Sequence, residues 1–520
     1  MFSFSNTFLN QYILLVSMSH TILDCYTDEA SGLGVPPYLG THPRYIAGYL
    51  KSKKEDFDYI TIDDLRFFIN YNSNVKKTKK SQKTNIKVYN LTKNFNKIKE
   101  ILQKTQTLIV VLGIHVPGKY LSAMPATLKE VIPLIENLDC KKILTGPAVF
   151  GTQLFGGKLY EKTDVKVFDE IKNYNFKFDR LGNYPVLGSE IIKQIPDIRV
   201  IEIETGRGCN VGKCSFCTEP IKSRFINRNF EDIINEIEAF YKLGSRYFRL
   251  GKQADFYAYD KPIELLKTIS GKFPKIKVLH IDNVNPNSVV VDKDELITKA
   301  VVKYCSEGNV AAFGVESFDP VVVKENLLNT APSVAFKAIK IINKHGQKRG
   351  KNGMPAYLPG INIIFGLMGE TKNTHKENIG ALKKIMDENL MLRRINIRQV
   401  AVLPETLLFK KAGNKFIKKN KKHYWSWRKE IRTKIDFEML KRIVPNNQLL
   451  KDIRMEIYDG NTTFGRQIGT YPLIVGIKGR HEIGKFYDIK VKGHMLRSVT
   501  GDIVKEADYE DKLKPIIAQY

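Results

Sequence analysis

The stretch RVIEIETGRGCNVGKCSFCTEP, Arg199 to Pro220, decides how the rest of the chain is read. Its first part, Arg199–Glu204, has the apolar and alternating character of a strand, and three cysteines, Cys209, Cys214 and Cys217, follow within nine residues. They are separated by four and then two residues. Soft thiolates match iron, and a spacing this tight closes one chelate. A structural zinc site wants four closed ligands, and no second cysteine pair or nearby histidine supplies them. Three ligands for four irons leave one iron open, so a 4Fe-4S cluster is expected. Inert buried thiols are a poor alternative in a loop rich in Gly and Lys.

Outward from this loop the pattern repeats. Strands are expected at Arg199–Glu204, Tyr247–Leu250, Lys277–Ile281, Val310–Val315, Gly360–Phe365 and Asn396–Leu403, with helices such as Phe230–Leu243 between them. Six βα units make a partial (β/α)6 barrel, whose chemistry sits at the C-terminal ends of the strands. Upstream, strands at His20–Cys25, Asp58–Ile62, Thr107–Leu112 and Lys142–Thr145, with a helix near Leu128–Leu138, read as a parallel, doubly wound, Rossmann-like domain. Beyond Pro445 come IRMEIYDG, TYPLIVGIK, FYDIKVKGH and MLRSVTGDIV, short alternating strands of a small β-barrel. The fold class is therefore α/β, divided into an extension at 1–18, with Met18 as an alternative start, the Rossmann-like domain at 19–155, a connecting segment at 156–196, the barrel at 197–408, a basic linker at 409–445, the small β-barrel at 446–506 and a tail at 507–520.

The cysteine loop after the first barrel strand resembles that of the radical S-adenosylmethionine (SAM) superfamily, although the commonest gap there is three then two. The resemblance implies a 4Fe-4S cluster on Cys209, Cys214 and Cys217 whose open iron chelates SAM. An electron then cleaves the cofactor reductively, and a 5′-deoxyadenosyl radical abstracts hydrogen from a substrate at the barrel mouth. It also implies cofactor contacts at Phe216, for adenine, at Gly251 and Gln253, where Gln253 or Asp255 would accept from the methionine ammonium, at Glu316 and Ser317, for ribose, and at Gly366 and Gly369 of FGLMGET. Phe216 is equally read as local packing. Asp282, Asn283, Asn285, Arg398 and Gln399, at strand ends, are candidate substrate contacts or turn caps.

Net charge is +28, and two stretches concentrate it. Tyr71–Lys99 holds nine Lys and no acid; Lys410–Lys434 holds eleven Lys or Arg against Glu430 alone. Such runs gain affinity for phosphates by releasing counterions, and solvated surface is the bland alternative for the first. The stretch Asp459–Val504 resembles the TRAM domain, an RNA-binding β-barrel of RNA-modifying enzymes. With Lys421, Lys422, Trp425 and Trp427 beside it, and Arg466, Arg480 and Arg497 on it, an RNA partner is expected, tRNA or rRNA being the leading classes.

The N-terminal domain is similar to cobalamin-binding domains, but Gly113-Ile-His115-Val-Pro-Gly118 keeps only the His and Gly of the Asp-x-His-x-x-Gly ligand motif, so cobalamin is not expected. Cys25 and Cys140 are too few for a second cluster and read as packed thiols. The leading expectation is a radical SAM oxidoreductase or transferase that modifies RNA, reduced by a donor such as a ferredoxin or flavodoxin. Two alternatives stand beside it: a cobalamin-dependent methyltransferase of a small molecule or protein, and a non-catalytic Fe-S RNA-binding protein. Six cysteines without a disulfide framework fit the cytoplasm, and no segment has the apolar length to span a membrane.

Overall fold

The computed structural model of the chain describes residues 19–26, 38–74, 88–113, 125–150, 152–154, 159–161, 166–174, 176–507 and 517–519. The N-terminal sheet contains β1 (His20–Asp24), β2 (Phe57–Thr61), β3 (Thr107–Val111), β4 (Lys141–Thr145) and β5 (Glu170–Ile171), all parallel, in the order β2-β1-β3-β4-β5. Strand alternation divides its two faces. Ile22, Tyr59, Ile109 and Val111 join the barrel's core, whereas Leu23, Ile60, Leu108 and Val110 pack an outer core with helix Leu128–Ile135.

The barrel strands are β6 (Val200–Glu204), β7 (Tyr247–Gly251), β8 (Val278–Ile281), β9 (Asn309–Glu316), β10 (Tyr357–Phe365) and β11 (Arg394–Gln399). They run parallel as β8-β7-β6 and β9-β10-β11. Just beyond β8, the short strand Asn283–Val284 pairs with β9 and carries the wall from one half to the other. These strands lie within a few residues of their expected positions. Tyr38–Leu39, expected in the N-terminal domain, instead pairs with β6, and the following helix α1 (Thr41–Ser52) packs over it.

The expected connecting segment holds short helical turns at Phe178–Leu181, Tyr184–Leu187 and Gly188–Gln194. The expected basic linker is also helical. It forms α2 (Leu407–Ala412), α3 (Lys415–Ile431), a π turn at Arg432–Asp436 and α4 (Phe437–Ile443). Lysine is a good helix former, and Asn420, Tyr424, Trp427 and Ile431 recur at four, three and four residues, giving α3 one buried stripe.

The C-terminal strands close a five-stranded barrel in the order β12 (Leu449–Asp459), β13 (Thr462–Gln467), β14 (Ile474–Lys478), β16 (Val499–Glu506) and β15 (Phe486–His494). Strand β13 was not expected, because TTFGRQ offers little apolar alternation. Its pairing with β12 and β14 makes closure possible. Among the described residues no helix is long and apolar enough to cross a membrane.

Two fully buried arginines bind these parts together. Arg44 on α1 donates to Glu236 and to the Glu202 carbonyl of β6; Arg228 donates to the other oxygen of Glu236. Arg454 of β12 pairs with Asp197, just before β6, at 2.5 Å, and with Glu456 at 3.1 Å. Deleting one partner of such a buried set leaves charge uncompensated. Glu236→Ala, which strands Arg44 and Arg228, is expected to cost about 3–5 kcal/mol. It should lower the midpoint of the first thermal transition, and an unchanged midpoint would contradict this role.

Candidate active site

The cysteine loop leaves the end of β6 through a narrow neck. Gly206–Arg207 pairs antiparallel with Ile226–Asn227, and Arg228 N–H donates to the Thr205 carbonyl at 2.9 Å. At Gly208 φ is +73°, and a Cβ there would lie 2.5 Å from the Arg224 carbonyl oxygen. The four-residue gap is absorbed at Gly212, where φ is +64° and the amide N–H donates to Cys209 Sγ at 3.5 Å. The longer spacing thus has a defined turn.

On its far side the loop is tied to two other barrel segments through Asn326, which is wholly buried. Ser215 N–H donates to the Asn326 carbonyl (2.9 Å), and the Ser215 hydroxyl to Asn326 Oδ1 (2.8 Å). Asn326 Nδ2 in turn donates to Met368 of FGLMGET at 2.8 Å. Ser215 also accepts from Leu408 N–H of α2 at 2.8 Å. The sequence held no signal for Asn326, since an asparagine near a helix C-terminus is commonplace.

Burial pushes the Cys214 thiol up to about 11 and raises that of Cys217, so thiolate formation here requires a cation to offset it. Among the described residues no three His, Cys, Asp or Glu side chains converge as ligands of a single ion. A cubane needs each cysteine to reach a different iron, and a loop closed at its neck and pinned at Ser215 suits that. Phe216 is half-buried and packs in one apolar group with Cys214, Leu367 and Ile417.

A Cβ at Gly251 would lie 2.0 Å from Glu202 Oε1, a carboxylate that Arg249 holds in place. Gln253 is buried, its Oε1 accepting from the Thr205 hydroxyl at 2.9 Å. Asp255 is committed to Tyr257 N–H, Asn285 N–H and the Ser288 hydroxyl. Ser317 caps the next turn, accepting from Asp319 N–H at 3.2 Å. Asn285 likewise caps the helix that begins at Pro286. At Gly366, with φ +95°, the space a Cβ would take belongs to Ile417 of α3, and at Gly369 it faces Glu325.

Glu316 differs from these. It ends β9 with φ +63°, and its Oε2 is buried with no hydrogen-bond partner. Burial pushes its carboxyl up to about 7 against the pull of the Arg398 guanidinium. It lines a barrel cavity of about 270 Å³ with Asp282, Asn283, Asn362, Asn396 and Arg398. Asn362 and Asn396, bonded at 3.0 Å, were missed in the sequence. Their signal was present: RINIRQ places polar residues on alternate positions, and GINIIF sets Asn362 between two isoleucines, which a strand covered on both faces does not need. Gln399 Oε1 is buried and unpartnered.

Two residues expected on a nucleic-acid surface are internal. Trp427 is buried, stacked on His375 at 5.2 Å and 12° and packed on Phe365. Arg466 is buried and pairs with Glu456 at 3.0 Å. Lys421, Lys422 and Arg480 are exposed. Trp425 is 52% exposed, with Arg428 5.3 Å from its ring centre. Cys25 is buried in the outer core and Cys140 packs against it. His115 and Gly118 lie outside the described residues, as does much of the first basic run.

The sequence model of the Radical SAM superfamily matches residues 203–380, from β6 to helix Lys372–Asp387. An uncharacterized protein of Methanocaldococcus jannaschii is 39% identical, with 93% of each chain covered. Another, of Archaeoglobus fulgidus, is 37% identical over 93% of this chain and 89% of that protein. Among solved structures, the radical SAM methyltransferase TsrM of Kitasatospora setae, with cobalamin and a [4Fe-4S] cluster bound, is 12% identical and covers 75% of this chain and 77% of its own, with a TM-score of 0.48. OxsB, a cobalamin-dependent SAM radical enzyme, is 12% identical over 79% of this chain and 56% of its own, with a TM-score of 0.44. The chain belongs to the radical SAM superfamily. It is accordingly an enzyme rather than a non-catalytic Fe-S protein, with a 4Fe-4S cluster and SAM as its cofactors.

Two expectations follow from the geometry. Single Cys209→Ala, Cys214→Ala or Cys217→Ala variants should lose most cluster iron and the visible absorption of reconstituted protein; full retention of four irons would exclude that cysteine as a ligand. Glu316 is protonated below about pH 7 and ionised above it. A carboxylate accepts from ribose hydroxyls better than the acid, so SAM affinity should strengthen as pH rises through about 7 and lose that dependence in Glu316→Gln. An unchanged profile in the variant would remove Glu316 from the site.

Proposed function

We propose that this radical SAM enzyme modifies RNA. The observation that carries the reading is the placement of the basic helix α3. Its apolar side begins at Phe416 and Ile417, which pack in the same group as Phe216, Cys214 and Leu367 at the barrel mouth. Its opposite side presents Lys415, Lys418, Lys419, Lys421, Lys422 and Lys429, with Trp425 among them. Phosphate neutralisation and base stacking can act together on that surface. The closed five-stranded C-terminal barrel, an architecture that OB-folds use for oligonucleotides, supports the same reading.

Within the site, Cys209, Cys214 and Cys217 hold the cluster, and the barrel interior receives the reacting unit. Bound cluster and SAM supply a 5′-deoxyadenosyl radical after one-electron reduction, for which a ferredoxin or flavodoxin is the proposed donor. Asn362, Asn396, Asp282 and Arg398 offer both donors and acceptors to a polar group entering the cavity, and Glu316 holds or releases a proton near neutrality.

Crosslinking the protein to cellular RNA and sequencing what is bound tests the reading. Specific RNAs should be recovered, and Lys421→Ala/Lys422→Ala should weaken their binding and reduce its salt slope by about two. No RNA recovery, or recovery equal in the double variant, would oppose it.

A second reading is favoured by the order β2-β1-β3-β4-β5, whose switch point between β1 and β3 is where doubly wound sheets take ligands. There the chain would be a cobalamin-dependent methyltransferase of a small molecule or protein. Stoichiometric cobalamin binding by the purified protein would support it, and lack of binding at saturating cobalamin would dismiss it.

A further inference from the structure

Where the C-terminal barrel meets the base of the catalytic barrel, four guanidinium groups surround one small cavity. Arg393 and Arg394 come from the start of β11, Arg432 from the π turn after α3, and Arg497 from the hairpin before β16. Among the described residues, Asp436 is the one acid that lines it. Asp436 already accepts from Arg432, its neighbour four residues back, so the cavity retains an excess of about three positive charges.

Their remaining hydrogen-bonding capacity is poorly used. Arg432 is 7% exposed, yet its Nε donates to no described group; the buried Nε of Arg393 is equally unpartnered, and its Nη2 donates to the Tyr471 carbonyl at 2.7 Å. Arg394 stacks over the Tyr471 ring at 4.5 Å. Burial, with Arg394 beside it, pulls Arg393 down to about 10, while Arg497, exposed to solvent, closes the open side of the cavity. A protein that only needed these positions filled would place apolar or paired residues there. π turns, moreover, are frequent at functional sites.

We infer that this interdomain cavity is a binding site for a phosphate group, held by Arg393, Arg394, Arg432 and Arg497. Its volume of about 80 Å³ has room for several waters and hence for one tetrahedral oxyanion. Planar guanidiniums converging from different elements match several phosphate oxygens at once, a geometry one carboxylate could not satisfy. Arg394 and Tyr471 also line the catalytic cavity, so they form the wall between the two spaces. A phosphate bound here would fix the C-terminal barrel against the base of the catalytic one.

The site does not rest on the RNA reading, and the experiment separates the two. Binding of inorganic phosphate to the full-length protein is measured by titration calorimetry at constant ionic strength, with chloride as the balancing anion. Saturable binding is expected, weakened at least tenfold in Arg394→Gln and in Arg497→Gln, whose side chains make no described hydrogen bond that folding depends on. Lys421→Ala/Lys422→Ala should bind phosphate as wild type does. Competition by a nucleoside 5′-monophosphate would identify a phosphorylated small ligand as the source, and competition by an oligonucleotide lacking a terminal phosphate would identify an RNA backbone; both uphold the site. No binding beyond chloride controls, or equal binding in both arginine variants, would overturn it.

Discussion

Strand β6 is held at its middle and just ahead of its start by two buried arginines, one from α1 and one from the C-terminal barrel. Arg44 grips it through the Glu202 carbonyl and Glu236, and Arg454 grips its approach through Asp197. Buried guanidiniums cost several kcal/mol of desolvation each and are retained only where partners are placed to meet them. The cysteine loop starts where β6 ends, so the position of the cluster is set by contacts that reach across all three domains. Loss of either clamp would loosen the neck at Gly206–Arg207 before it disturbed any cysteine.

From that fixed origin a second chain of contacts runs outward. Ser215 binds Asn326, Asn326 binds the FGLMGET turn, and Glu370 of that turn accepts from Asn420 of the basic helix at 2.7 Å. The surface that carries the lysines is therefore mechanically continuous with the loop that carries the thiols. This continuity joins the exposed lysines of α3 to the cluster loop through hydrogen bonds, and it is the physical link on which the proposed RNA reading draws. On the C-terminal barrel Arg466 is spent on Glu456, and Arg497 turns toward the interdomain cavity.

Much of this was legible in the residues. Apolar strands alternating with amphipathic helices gave six barrel strands close to their true limits, and the three cysteines marked the site. The reading failed where a side chain's direction depends on a partner distant in sequence. Trp427 looked like a stacking platform, yet it lies on the same stripe as Asn420, Tyr424 and Ile431, a spacing visible beforehand. Arg466 lies in a stretch without alternation to orient it, and its partner Glu456 stands on the paired strand. Gly366 is required by Ile417, fifty residues on, and Asn326 by a serine more than a hundred residues earlier. The polar lumen was encoded openly in GINIIF and RINIRQ, and only its enclosure by the barrel shows what it is for.

The central claim is that the cluster loop creates one open iron facing a nucleoside site. Anaerobically reconstituted, reduced protein supplied with SAM tests it most directly. The account predicts release of 5′-deoxyadenosine and methionine in equal amounts, abolished by Cys214→Ala. Protein that carries a full complement of four irons, as seen by Mössbauer spectroscopy, yet neither binds nor cleaves SAM under reduction would contradict it.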